Sequence, residues 1–148
     1  MLLKNYFSEL DRYSLIAVFI LTVCKGYGQN QWVTTTPENG SFTLADAKGT
    51  APLITDIKEF EGVKIAVTNF KEDLKRVTAQ EAVISNTPTE NGNVIIGTLG
   101  KNTYIEELVK AGKLDVDAIK GNWEAFSIQE VDGNLIVVGS DKRGTIYG

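Results

Sequence analysis

Apolar and polar positions change their period several times along the chain, and each change marks an element. Tyr13 to Cys24 is an almost unbroken apolar run. Ser41 to Ala45 alternates, as a strand with one face in water does. Ala51 to Thr55 is a second short strand, with Pro52 near its start, where proline is tolerated. Val63, Ala66, Phe70, Leu74 and Val77 then recur at helical spacing, the seam of an amphipathic helix. Lys64, Lys71, Glu72, Asp73, Lys75 and Arg76 fill its other faces and read as a solvated surface. A single helix is marginal in water, so this one needs a sheet or a second helix against its seam.

Asn93 to Leu99 is continuously apolar at its centre, the pattern of a strand buried on both faces. Gly97 to Gly100 turns the chain. Thr103 and Glu106 have capping-box spacing, which predicts a helix from Thr103 that ends at Gly112. Asp115 to Ile119 allows one further helical turn. Glu124 to Val131 alternates as a strand, Asp132-Gly133 is a hairpin signal, and Leu135 to Val138 is the return strand. Asp141 caps a last helix. The order is β-β-α-β-α-β-β-α, an α/β layer domain with a small mixed sheet. The last helix has barely begun at Gly148, so the domain is expected to be incomplete there, the front of a longer protein.

Composition narrows the function. The 148 residues suffice for one domain. The net charge of −4 lacks the basic excess of a nucleic-acid binder. With no histidine, the chain holds no Ser-His-Asp triad, Cys-His dyad or His-ligated metal site. One cysteine excludes an intrachain disulfide and a Cys-type zinc site, and no cofactor is expected. The apolar run is short for a membrane span and has the length of a signal-peptide core. Residues 1–28 therefore read as an export signal, cleaved before Gln29, and 29–40 as a flexible polar lead-in to a domain at 41–148. The expected location is periplasmic or extracellular. A buried or amphipathic N-terminal helix is the other reading; so is an outer-membrane lipoprotein, since Leu21 to Cys24 resembles a lipobox. Cleavage removes three of the fifteen basic and two of the nineteen acidic residues, and the only cysteine.

Few motifs carry chemistry. Gly97 and Gly100 follow a strand and precede a helix, as in a phosphate cradle. Ile95 and Asn102 stand where a P-loop needs Gly and Ser or Thr. Asp115, Asp117, Glu124, Glu130, Asp132 and Asp141 supply the carboxylates that glycosidase chemistry needs in pairs, but none is distinguished, and no catalytic residue is assigned. Trp32, Trp123, Phe126 and Tyr147 are candidates for a sugar platform, although Trp123 and Phe126 would lie on opposite strand faces. Gly139-Ser-Asp-Lys-Arg-Gly-Thr-Ile-Tyr-Gly148 stands apart. Asp141, Lys142 and Arg143 sit between glycines that let backbone approach closely, and Arg143 can fork onto a carboxylate. A plain helix cap with two solvated cations is the competing account.

Gly139 to Gly148 closely resembles the motif ending the N-terminal domain of glycoside hydrolase family 115, the xylan α-glucuronidases; a related pattern occurs in family 67. Ile54 to Val77 resembles that family's first long helix, and Val94 to Gly97 its next strand. The resemblance spans about residues 41 to 148. It implies a non-catalytic N-terminal domain of an inverting enzyme that removes glucuronic acid or its 4-O-methyl ether from xylan. The implied partners are a catalytic (β/α)8 barrel of the same protein and glucuronoxylan or its oligosaccharides. It places Asp141, Lys142 and Arg143 toward the uronate pocket and gives Gly139, Gly144, Tyr147 and Gly148 structural roles. Alone, the chain is expected to be inactive. A stand-alone carbohydrate-binding or interaction module is the alternative, and a small phosphate-binding protein the third reading.

Overall fold

Every position of Val94–Thr98 is buried, as its unbroken apolar pattern requires, because helices cover both faces of the sheet it centres. The computed structural model describes residues 33–36 and 38–148. The export signal, Cys24 and Trp32 lie outside them. The chain divides into Met1–Thr36 and Pro37–Gly148, and the architecture is that of the second unit.

The elements run β1 (Ala45–Asp46), β2 (Gly49–Thr50), β3 (Leu53–Ile54), α1 (Glu61–Thr78), β4 (Ile84–Ser85), β5 (Val94–Thr98), α2 (Thr103–Lys110), β6 (Phe126–Val131), β7 (Asn134–Gly139) and α3 (Lys142–Tyr147). β1 and β2 form a separate two-stranded hairpin, and the main sheet has the order β4-β3-β5-β7-β6. Its first four strands are parallel; β6 is antiparallel to β7 at one edge. The domain is therefore α/β with a mixed sheet, as the sequence pattern indicates.

Three strands differ from expectation. The strand expected at Ser41–Ala45 is reduced to β1, with β2 as its unforeseen partner. β4 also went unread, because two residues are too few to show alternation; it pairs in parallel with β3. Asp115 to Ile119 makes the single further turn that the sequence allows, with Ile119 and Lys120 donating to the Val116 carbonyl.

Strand alternation divides the core. Leu53, Val94, Ile96 and Val137 face α1, where Val63, Val67 and Leu74 meet them. Ile54, Ile95, Ile136 and Val138 face α2, against Ile105, Leu108 and the loop residues Leu114, Val116 and Ile119. Each large buried side chain contributes about 1.5–3 kcal/mol. The α1 seam runs through Val63, Val67, Phe70 and Leu74. Val77, expected in it, is 86% exposed, because it lies at the stripe's margin in the last turn.

The start of α2 is displaced one residue from the expected capping box. Asn102 is the cap: its side-chain oxygen accepts from Ile105 N–H at 3.1 Å. Glu106 does reach back, but to Gly100 N–H at 2.7 Å. Thr103 is held instead by Asp56. The hairpin between β6 and β7 turns through Asp132 and Gly133, whose φ values of 50° and 72° are those of a type I′ turn.

Candidate functional site

The strand ends that most often hold ligands in a parallel sheet are those at the topological switch point. Here the connection from β3 leads outward to β4, and the one from β5 leads the other way to β7, so the switch lies between β3 and β5. The chain's own carboxylates occupy it. Glu59, 4% exposed, accepts from Thr98 N–H and Thr98 Oγ1, both at 2.8 Å. Asp56 Oδ2 accepts from Thr103 N–H at 3.2 Å and Thr103 Oγ1 at 3.1 Å. Its other oxygen takes Lys58 N–H, and these bonds, Lys58 first, hold the Asp56 carboxyl below the usual aspartate range.

This arrangement overturns the phosphate-cradle reading of Gly97 and Gly100. The amides of Gly100, Thr103 and Ile105, which would have to face an anion, are satisfied by Glu106, Asp56 and Asn102. Gly97 serves packing: a Cβ there would come within 2.7 Å of the Asn102 side chain.

The Gly139–Gly148 segment wraps the end of β7 into α3. Asp141 caps α3, its Oδ1 accepting from Gly144 N–H at 2.8 Å. Its Oδ2 accepts from Glu124 N–H at 3.0 Å. The two amides, Glu124 first, hold the Asp141 carboxyl below its usual range. Glu124 sits at φ 55°, a left-handed conformation unusual for a non-glycine residue. Arg143 pairs with the same residue, Nη1 to Glu124 Oε1 at 2.7 Å. Ser140 and Ala125 exchange bonds alongside, Ser140 N–H to the Ala125 carbonyl and Ala125 N–H to Ser140 Oγ. Asp141, Ser140 and Arg143 together clamp the start of β6 against the end of β7.

The glycines are steric requirements of the same clamp. A Cβ on Gly139 would strike the Thr145 backbone, and one on Gly144 would strike the Ala125 carbonyl oxygen. A Cβ on Gly148 would crowd Val137 and Phe126. Lys142 is exposed, and Tyr147 is half exposed.

The remaining carboxylates do not assemble into a catalytic pair. Asp132 pairs with Lys113 at 2.7 Å, Asp115 accepts from Asp117 N–H, and Glu130 lies on the exposed face of β6. Among the described residues no group of three or more His, Cys, Asp or Glu is arranged to hold a metal ion. Trp123 lies in the loop before β6, 86% exposed, rather than on a strand face opposite Phe126 as expected. No helix among the described residues is long and apolar enough to cross a membrane.

Sequence reasoning missed Glu59, Asp56, Thr98 and Thr145. Glu59 and Asp56 look like ordinary acids before a charged helix; only the packing of β5 beside β3 buries one and turns the other onto α2.

An α/β domain with a closed switch point and a glycine-tight β7–α3 turn is thus in hand. A solved family GH115 4-O-methyl-alpha-glucuronidase, described as having specificity for decorated arabinogalactans, is similar to it, with a TM-score of 0.57 and 28% sequence identity. The match covers 66% of this chain and 12% of that one, so this chain spans a small part of that enzyme's length. No protein-family model matches the chain, and no curated protein matches it significantly.

Proposed function

We propose that this chain is the N-terminal, non-catalytic α/β domain of an exported α-glucuronidase related to family GH115. The observation that carries the reading is the 28% identity to a 4-O-methyl-alpha-glucuronidase over 66% of the chain. The resemblance of the Gly139–Gly148 motif to the same family supports it. The domain braces the catalytic barrel of the longer polypeptide, and Asp141, Lys142 and Arg143 face the junction at the rim of the uronate pocket. Of these, Lys142 has no ion pair among the described residues and is free to meet a uronate carboxylate, whereas Arg143 is already engaged by Glu124. The substrate feature is an α-linked (4-O-methyl-)glucuronosyl side chain. Xylan is the polymer that the motif's family points to; decorated arabinogalactan is that of the structural neighbour.

The test is release of (4-O-methyl-)glucuronic acid from glucuronoxylan and from decorated arabinogalactan. The 148-residue chain is expected to release none. A polypeptide continuing from Gly148 in the source reading frame is expected to be active. Release by the 148 residues alone overturns the non-catalytic role, and a stop codon directly after Gly148 overturns the parent enzyme. In the longer polypeptide, Arg143→Ala and Lys142→Ala are expected to lower kcat/KM; unchanged values at native stability remove them from the site.

A second reading, a stand-alone carbohydrate-binding module, is favoured by one observation: Trp123 is 86% exposed on a loop, with half-exposed Phe126 at the start of the adjoining strand. Saturable binding of xylo-oligosaccharides that Trp123→Ala abolishes would establish it.

A further inference from the structure

The two edges of the main sheet are unlike. β4 is two residues long and Pro88 follows closely, devices that keep an edge strand from pairing further. β6 is six residues long, holds no proline, glycine or lysine, and pairs with β7 from Phe126 to Val131 without a bulge. The hairpin fixes which of its backbone groups face β7. Val131 and Asn134 flank the type I′ turn as a hydrogen-bonded pair, and at the other end Ser140 N–H donates to the Ala125 carbonyl. Alternation therefore turns the N–H and C=O groups of Phe126, Ile128 and Glu130 outward, and none of them has a backbone partner among the described residues.

The side chains on that stretch are apolar where they meet water. Ile128 lies opposite Val137, on the sheet face that α1 covers, and Phe126 lies two positions away on the same face. α3 ends over Val137 and Phe126, yet Phe126 is 43% exposed and Ile128 45%. The edge is self-complementary. Two copies of β6 set antiparallel about Ile128 place Ile128 against Ile128 and Phe126 against Glu130, the one register in which all three outward residues of each copy pair. The two Glu130 carboxylates then stand about 14 Å apart, four residues along the strand, farther than the screening length of about 8 Å. Two positions further out, Glu124, bound to Arg143, meets Asp132 of the second copy, bound to Lys113. Each end of the contact thus joins two neutral ion pairs, which removes the charge repulsion that would otherwise guard the edge.

We infer that the outer edge of β6 is the interface of a twofold homodimer, in which two copies of this chain join their five-stranded sheets into one. The inference stands apart from the glucuronidase reading and is tested without enzyme activity. The experiment is sedimentation of the full 148-residue chain carrying Cys24→Ser, which leaves no native thiol to link copies. An edge of six residues is smaller than a standard interface of about 800 Å² per partner, so the expected result is a weak dimer that grows with concentration. Ile128→Lys sets two like charges at the axis and should weaken association about tenfold or more. Its unfolding midpoint at dilution should match that of the parent, because the position is half exposed. In the same background, Ile128→Cys should oxidise to a disulfide-linked dimer, since residues paired at the axis have Cα atoms about 5.5 Å apart. Phe126→Cys should not, because its two copies lie about 14 Å apart. Sedimentation as a monomer up to about 1 mM, which would leave the edge to a strand of different sequence, overturns the inference. So does a dimer that Ile128→Lys leaves intact, which would place the contact elsewhere, and so does cross-linking of Phe126→Cys as readily as of Ile128→Cys.

Discussion

The hydroxyls of Thr98 and Thr145 lie 2.7 Å apart, although 47 residues separate them in the chain. Thr98 ends β5 and Thr145 lies in α3. The contact extends on one side to the buried carboxylate of Glu59 and on the other to the Asp141 carbonyl, which Thr145 Oγ1 also reaches at 3.0 Å. A continuous polar chain thus joins the loop before α1 to the Gly139–Gly148 turn through the middle of the domain.

Thr98→Val removes one of the donors to Glu59 and leaves a buried carboxylate short of a partner. The expected loss is about 2 kcal/mol. Urea unfolding of the full chain measures it. A midpoint equal to wild type would mean that water replaces the hydroxyl.

Gly144→Ala places a methyl group against the Ala125 carbonyl, and neither backbone can retreat without parting β6 from β7. The expected cost is about 3 kcal/mol. Gly100→Ala is its control: Gly100 has φ 76° and open space around the Cβ position, so only backbone strain of about 1–2 kcal/mol applies. Thermal unfolding should order the two variants accordingly.

Arg143→Ala should barely alter stability. The Arg143 side chain is 59% exposed, and an ion pair so placed contributes about 0–1 kcal/mol. A substantial fall in melting temperature would show that Arg143, rather than Asp141, holds the left-handed Glu124. The variant is therefore suited to testing the pocket-rim role without a folding artefact.

Acid should loosen the β7–α3 turn through Asp141. Its folded pKa lies below the usual value of about 3.9, so folding favours the ionised form. That stabilisation is fully present above the unfolded pKa and is lost as pH falls through the folded one. Asp56 behaves in the same direction. Asp141→Asn should be less stable than wild type at pH 7 and should lose less on acidification. Parallel pH profiles of the two proteins would exclude Asp141 as a source of the acid dependence.

What the sequence determined by itself is what local pattern can carry. The apolar run at 94–98 demanded burial on both faces, Asp132-Gly133 demanded a hairpin, and the seam from Val63 to Leu74 demanded a covered helix. Asp141 was legible as a cap because capping depends on residues three positions apart. The tertiary structure decided the rest. β4 exists only because β3 offers it an edge. Asn102 rather than Thr103 caps α2, because Asp56, just past the end of the neighbouring β3, takes the amide and hydroxyl of Thr103. Glu59, Thr98 and Thr145 form one buried chain only when three distant segments converge. These are contacts between residues far apart in the chain, and no periodicity along it records which donor will face which acceptor.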